Sequence, residues 1–177
     1  MTDHIAKMKQ MLVKARRAPN EDGFVVAALY KFADLPDYKE LQPVIQQLCD
    51  DAEALGTILL AKEGINGTIC APERGMSSIL EWLAHEPRFE TPSLKFSFTT
   101  GPAFLRMKVR LKSEIVTMGV PQINPAQQTG TYVDADEWNK LLADPDVMVG
   151  DTRNTYETAV GMCEGAVDPK TTNFRDF

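Results

Sequence analysis

The order of apolar patterns between Phe24 and Thr99 constrains this chain more than any other feature. Phe24 to Phe32 is an apolar run of strand length. Leu41, Val44, Ile45, Leu48, Ala52 and Leu55 then recur at helical spacing, with Pro43 in the first turn and Gly56 as a stop. Thr57 to Ala61 and Gly67 to Ala71 are short strands. Met76, Ile79, Leu80 and Leu83 mark a second helix before Pro87, and Leu94 to Thr99 a fourth strand. The succession β-α-β-β-α-β predicts a ferredoxin-like, split βαβ domain.

The segment Arg106 to Lys112 follows, with strict period-two alternation. In a strand, Arg106, Lys108, Arg110 and Lys112 project from one face and Met107, Val109 and Leu111 from the other. Like charges at this spacing repel one another unless acids or an anionic partner face them. Two readings stay open: a solvated face that discourages edge-to-edge pairing, or contact with a phosphate backbone.

Ahead of this domain, Ile5, Met8, Leu12 and Ala15 form an apolar stripe among Lys7, Lys9, Lys14, Arg16 and Arg17. This predicts a basic amphipathic helix packed on the domain, with membrane-surface or RNA contact as the alternative. No apolar run approaches the ~20 residues that span a bilayer, nor is there a secretion-type apolar core. A membrane partner is therefore not expected, and the cytoplasm is the expected compartment.

Charge divides the chain. Up to Met118 there are 15 Lys+Arg against 15 Asp+Glu, and from Gly119 onward 4 against 10, so the net charge of -6 sits in the last third. Such asymmetry predicts two modules with different surfaces. Residues 119–129, with Pro121, Pro125 and Gln127-Gln128-Thr129, read as a linker. Gly130 to Val133 then reads as a short strand, Asp134 or Asp136 as the cap of a helix bearing Trp138, Leu141 and Leu142, and Val147 to Val149 as another strand before Asp151-Thr152-Arg153. Alternation on this scale suggests a parallel sheet.

Several segments occur in a specific order: Lys62 to Thr68 (KEGINGT), Arg106 to Gly119, Gly130 to Leu142, Asp151 to Glu157, and Glu164 to Phe177. As a set, from roughly Phe24 to Phe177, they resemble the bacterial rhodanese-related tRNA uridine hydroxylases. The resemblance implies an α/β chain in four parts: a basic extension at 1–22, an acylphosphatase-like or ferredoxin-like domain at 23–118, the linker at 119–129, and the front half of a rhodanese-like parallel-sheet domain at 130–177. It also implies oxygen-dependent 5-hydroxylation of a tRNA wobble uridine by the intact protein, with tRNA as partner.

On that resemblance the reactive cysteine is expected beyond Phe177, so no catalytic residue is expected within the chain and these 177 residues alone should be inactive. Cys163 reads as an incidental thiol, and Cys49 and Cys70 as core residues. Asp151, Arg153 and Glu157 read as a structural brace at a strand end, and Gly161 and Gly165 as turn residues. Half of a parallel sheet leaves apolar faces and edges uncovered, so the chain is expected to be a portion of a longer protein or to self-associate through the open sheet edge.

The candidate RNA contacts are Lys62, Asn66, Arg106, Lys108, Arg110 and Lys112. Within KEGINGT, Lys62 would meet a phosphate while Gly64, Asn66 and Gly67 allow close approach. The plain alternative is a hairpin in which Asn66-Gly67 makes the turn. Rhodanese-type sulfur transfer would use the same distant cysteine, and a non-catalytic RNA-binding module is the third reading of the chain as it stands. No flavin, nicotinamide or iron motif is visible, which leaves the cofactor open. No RNP-like aromatic signature marks single-strand recognition.

Overall fold

A computed structural model describes residues 2–15, 23–116, 130–173 and 176. The chain divides into two compact units, Met1–Val116 and Thr117–Phe177. The expected linker at 119–129 lies outside the described residues.

The first unit runs α1 (Thr2–Ala15), β1 (Phe24–Phe32), α2 (Tyr38–Asp51), β2 (Leu55–Ala61), β3 (Gly64–Pro72), α3 (Glu73–His85), β4 (Ser93–Thr99) and β5 (Met107–Leu111). The strands form one sheet in the order β4-β1-β3-β2-β5, antiparallel except for the parallel β2–β5 pair. This is the expected split βαβ arrangement with a fifth strand added beside β2.

Alternation along each strand sorts its residues into two faces. Val25, Ala27 and Leu29 of β1, Ile58 and Leu60 of β2, Ile65 and Ile69 of β3, and Val109 of β5 are buried against the helices. Helix α3 contributes Met76, Ile79, Leu80 and Leu83, and α2 contributes Leu41, Ile45 and Cys49. Met8 and Leu12 of α1 are buried as well, and α1 packs on α3 with Lys9 Nζ 3.3 Å from Glu81. The amphipathic segment thus belongs to this core.

Three local expectations change. The helical face does not extend to Leu55: α2 ends at Asp51, and the chain reverses at Glu53, at φ 54°, with Ala54 N donating to Cys49 O at 2.8 Å. Gly56 therefore lies inside β2, where a Cβ would come 2.3 Å from the Thr68 carbonyl oxygen. Val44 turns away from the core and is exposed. Pro43 sits one turn inside α2, on its exposed side, where solvent can serve the carbonyl that proline leaves without a donor.

The second unit contains α4 (Ala135–Ala143) and α5 (Thr155–Thr158). Asp134 caps α4, accepting from the amides of Asp136 and Glu137 at 3.0 and 2.9 Å, while Glu137 accepts from Asp134 N at 3.1 Å. The strands expected at Gly130–Val133 and Val147–Val149 do not form. Among the described residues this unit holds one parallel bridge, Gly150 to Val167. Without paired neighbours those backbone groups are left to other partners. Among its described residues no hydrophobic side chain is buried, and Tyr132, Met148 and Val160 are 86%, 79% and 91% exposed. Among the described residues no helix is long and apolar enough to cross a membrane.

Candidate nucleic-acid interface

The face of the sheet opposite the helices carries the candidate site. Strand register assigns it Phe24, Val26, Ala28, Tyr30 and Phe32 from β1; Leu55, Thr57, Leu59 and Ala61 from β2; Gly64, Asn66, Thr68, Cys70 and Pro72 from β3; Ser93, Lys95, Ser97 and Thr99 from β4; and the alternating cations of β5. None of these residues is an acid.

Parallel pairing places Lys108 beside Thr57 and Arg110 beside Leu59. Two hydrogen bonds continue the β5 pairing beyond the strand's bounds, Gly56 N to Arg106 O at 3.0 Å and Lys112 N to Leu60 O at 2.8 Å. All four cations of the ladder therefore stand on one face, ~6.6 Å apart along the strand. Among the described residues no carboxylate pairs with any of them. Lost hydration, and then the charges of Arg106 and Arg110, hold Lys108 below the usual lysine pKa.

Two glutamines fix β5. Gln42 Nε2 donates to Val109 O at 2.9 Å, and Val109 N donates to Gln46 Oε1 at 3.0 Å. Both come from α2, one turn apart, and occupy the outward peptide groups of the edge strand at Val109. Edge protection there rests on amides, which weakens the reading of the ladder as an anti-pairing device. These glutamines escaped sequence reasoning. Their only signal was a polar i, i+4 pair beside an apolar face.

The KEGINGT segment turns earlier than the hairpin expectation placed it. The β2–β3 hairpin turns at Lys62-Glu63, with Ala61 opposite Gly64, so Asn66-Gly67 lies within β3. Gly64 and Gly67 approach backbone of this same sheet: a Cβ on Gly64 would lie 2.1 Å from Lys31 O, and one on Gly67 2.6 Å from Thr57 O. Asn66 Nδ2 donates to Ile115 O at 3.1 Å, and Ile115 N donates to Glu63 Oε1 at 2.6 Å. Together they strap the segment after β5 over that end of the face, burying Ile115. Lys62 is exposed in the turn, at the end of β2 that adjoins Lys112.

In the second unit, Arg153 grips Asp151 through Nε at 2.9 Å and Nη2 at 2.6 Å, and Nη2 also donates to Gly161 O at 2.7 Å. That pairing holds Asp151 below the usual carboxylate range. Glu157 accepts from Asn154 N and Nδ2 at 3.2 and 2.8 Å. Cys163 is exposed in a cleft with Asp151, Arg153 and Trp138, and the chain's two histidines, His4 and His85, both belong to the first unit. No histidine of that unit stands beside it as a base. Cys49 and Cys70 are buried, and burial pushes the Cys49 thiol up to about 12. Among the described residues no three His, Cys, Asp or Glu side chains are arranged to hold a metal.

Residues 24–115 match the family model of the UPF0176 acylphosphatase like domain. The chain belongs to this family. It is 49% identical over 170 residues to a tRNA uridine(34) hydroxylase of Sinorhizobium medicae, covering 96% of this chain and 54% of that protein. Proteins of the same name from Rhizobium leguminosarum bv. trifolii and Bartonella quintana are 52% identical over 154 residues and 50% over 157, covering 87% and 89% of the chain and 50% and 52% of those relatives. The chain thus spans about half the length of the curated relatives it matches. The family match and the relatives' shared name support the resemblance drawn from the ordered segments.

Proposed function

We propose that this chain is the RNA-holding part of a cytoplasmic tRNA uridine(34) hydroxylase, and that the whole protein hydroxylates the wobble uridine. The carrying observation is a cationic ladder that no described carboxylate pairs, on a sheet face whose strand residues include no acid. A cation displaces condensed counterions only where it is free to meet a phosphate, and four such cations in a row match a polyanion. Arg106, Lys108, Arg110 and Lys112 take the backbone, with Lys62 extending the row. Asn66 serves as an anchor for Ile115 because its amide nitrogen is already engaged.

The residues of the second unit fit a bracing role. Asp151 and Arg153 tie two loops by charge-assisted bonds, and Glu157 closes the first turn of α5. The 177 residues by themselves bind rather than catalyse, because Cys163, though beside Arg153, has no histidine in its unit to take its proton. The exposed apolar residues of this unit make self-association a companion proposal, tested by whether the mass in sedimentation rises with concentration.

The deciding experiment places Lys108→Glu and Arg110→Glu together in the full-length protein. tRNA binding is expected to fall with a flatter salt dependence, and 5-hydroxyuridine at position 34, read by nucleoside mass spectrometry of cellular tRNA, is expected to fall with it. Unchanged binding and modification would remove the ladder from the reaction.

A further inference from the structure

The sheet face opposite the helices carries a cation on its other edge as well. Lys95 of β4 pairs in register with Ala28, Ala28 with Thr68, Thr68 with Thr57, and Thr57 with Lys108. One row thus runs Lys95, Ala28, Thr68, Thr57, Lys108 across all five strands. Its ends are cations on the two edge strands, four inter-strand steps or ~19 Å apart. Its middle is small: Ala28 and Thr68 are exposed and Thr57 half-buried.

A face built this way has little to offer an unpaired base. Single-strand recognition relies on aromatic rings under the bases, and the row joining Lys95 to Lys108 contains none. The rings on this face belong to β1, off that row, and Tyr30 and Phe32 pack edge-to-face on each other at 5.0 Å. Short side chains flanked by a line of cations on one edge and a lysine on the other suit a broad object carrying phosphates along both sides. A-form RNA is such an object, since it is recognised by shape and by its backbone rather than by its bases.

We infer that this sheet face is a two-edged cradle for an RNA stem, in which Lys95 on β4 and Lys108 with Arg110 on β5 each hold one of its two sugar-phosphate backbones. This rests on the RNA-holding function proposed above and assigns its substrate element: a paired stem held independently of sequence. Lys95 becomes a binding residue. Its signal was present in the sequence as the polar alternation Ser93, Lys95, Ser97, Thr99 against Leu94, Phe96 and Phe98.

The test uses the 177-residue chain with two probes of equal phosphate count, a blunt RNA duplex and an unpaired polyuridine strand, titrated by fluorescence anisotropy over a salt series. The duplex is expected to bind more tightly. Lys95→Glu and Lys108→Glu should each weaken duplex binding by about ten-fold, the scale of a charge-assisted contact. Each should also lower the salt slope by about one. Ala28→Trp, which raises the floor of the cradle, should weaken duplex binding too, whereas a stacking platform would gain affinity from it. Lys39→Glu on α2 should change nothing. Circular dichroism confirms that each variant folds.

Tighter binding of the single strand, a gain from Ala28→Trp, or indifference to Lys95→Glu while Lys108→Glu still weakens binding would overturn the cradle and leave the ladder's role intact. No binding of either probe at low salt would overturn both.

Discussion

The two faces of the one sheet in the first unit are built from the same strands and do opposite work. On the helical side, Val25, Ile58, Ile69 and Val109 disappear under α2 and α3, whose solvent surfaces carry five carboxylates, Glu40, Asp50, Asp51, Glu73 and Glu81, against Lys39 and Arg74. On the other side every charged position is a cation: Lys95, Arg106, Lys108, Arg110 and Lys112. Helix α1, packed on α3, adds Lys7, Lys9 and Lys14 to the helical side, so that side carries both signs while the opposite face carries one, and the near-zero formal charge of the domain conceals a face whose field orients an approaching polyanion. Net charge is a poor guide to partners when a sheet gathers one sign on one face.

That comparison breaks most visibly if stability and binding fail to separate. Leu80→Ala empties a fully enclosed site on the helical side and is expected to cost about 2–5 kcal/mol in urea denaturation. Correctly folded molecules of that variant should keep their RNA affinity. Lys108→Glu with Arg110→Glu should do the reverse, strongly weakening RNA binding while leaving the urea midpoint unchanged or higher. A shared loss in both variants would mean that the cationic face is part of the core's support.

A subtler break concerns the glutamine clamp. Replacing Gln42 and Gln46 with Ala leaves the Val109 N–H and C=O without their partners, at a cost of about 1–3 kcal/mol. Because β5 carries the ladder, loosening it should weaken RNA binding even though no cation is touched. The freed edge should also promote self-pairing, visible as concentration-dependent light scattering. Retention of full affinity would show that the cations do not need a rigid strand beneath them.

Next in size is an effect confined to a cluster away from the cationic ladder. Arg88 binds Glu86 through Nε and Nη2 at 2.8 and 2.9 Å and reaches Asp37 through Nη1. Hydrogen bonds from Arg88 hold both carboxyls below their usual pKa values. A depressed carboxylate contributes stability that is fully present above the ordinary carboxylate range and is lost as pH falls through the folded value. Trp82 packs on Phe89, the residue after Arg88, with ring centroids 6.1 Å apart, and so reports on this region. In a Trp138→Phe background its fluorescence should show an acid transition that moves to higher pH in Arg88→Met. An unmoved transition would show that the cluster is only surface decoration.

Legibility from sequence followed the strength of the local pattern. Strand β1 and the buried face of α3 were readable because apolar period and length agreed, and the ladder was readable because four cations alternate without interruption. The C-terminus of α2 was not, because Ala52 and Leu55 continue the helical spacing while Glu53, rather than a glycine, takes the left-handed turn. The KEGINGT hairpin misled through its Asn66-Gly67 pair, a turn signal that strand packing overrode: Gly67 is small because Thr57 crosses close to it. In the second unit the apolar segments near Tyr132 and Val147 were readable as strands, yet strand character depends on neighbours, which no local pattern supplies. Lys95 was hidden for a related reason. Its meaning comes from a strand four places across the sheet, and only register connects the two.

The smallest expected effect tests the ladder's own cost. Arg106 and Arg110 flank Lys108 on one face, and its pKa is lowered first by lost hydration and then by their charges. A base with a depressed folded pKa takes up its proton less readily in the folded chain than in the unfolded one, so at neutral pH the charged form works against folding. That penalty disappears as pH rises through the folded and then the unfolded value. Lys108→Thr removes it, so the variant should unfold at slightly higher urea than the natural chain at neutral pH and low salt. The gap should close in high salt as screening weakens the repulsion, and close again at strongly alkaline pH as Lys108 itself loses its charge. Such a cost in the free domain, relieved when phosphates arrive, is the expected signature of a surface arranged for a partner; a variant that is no more stable at low salt than at high salt would mean that the ladder is at rest without one.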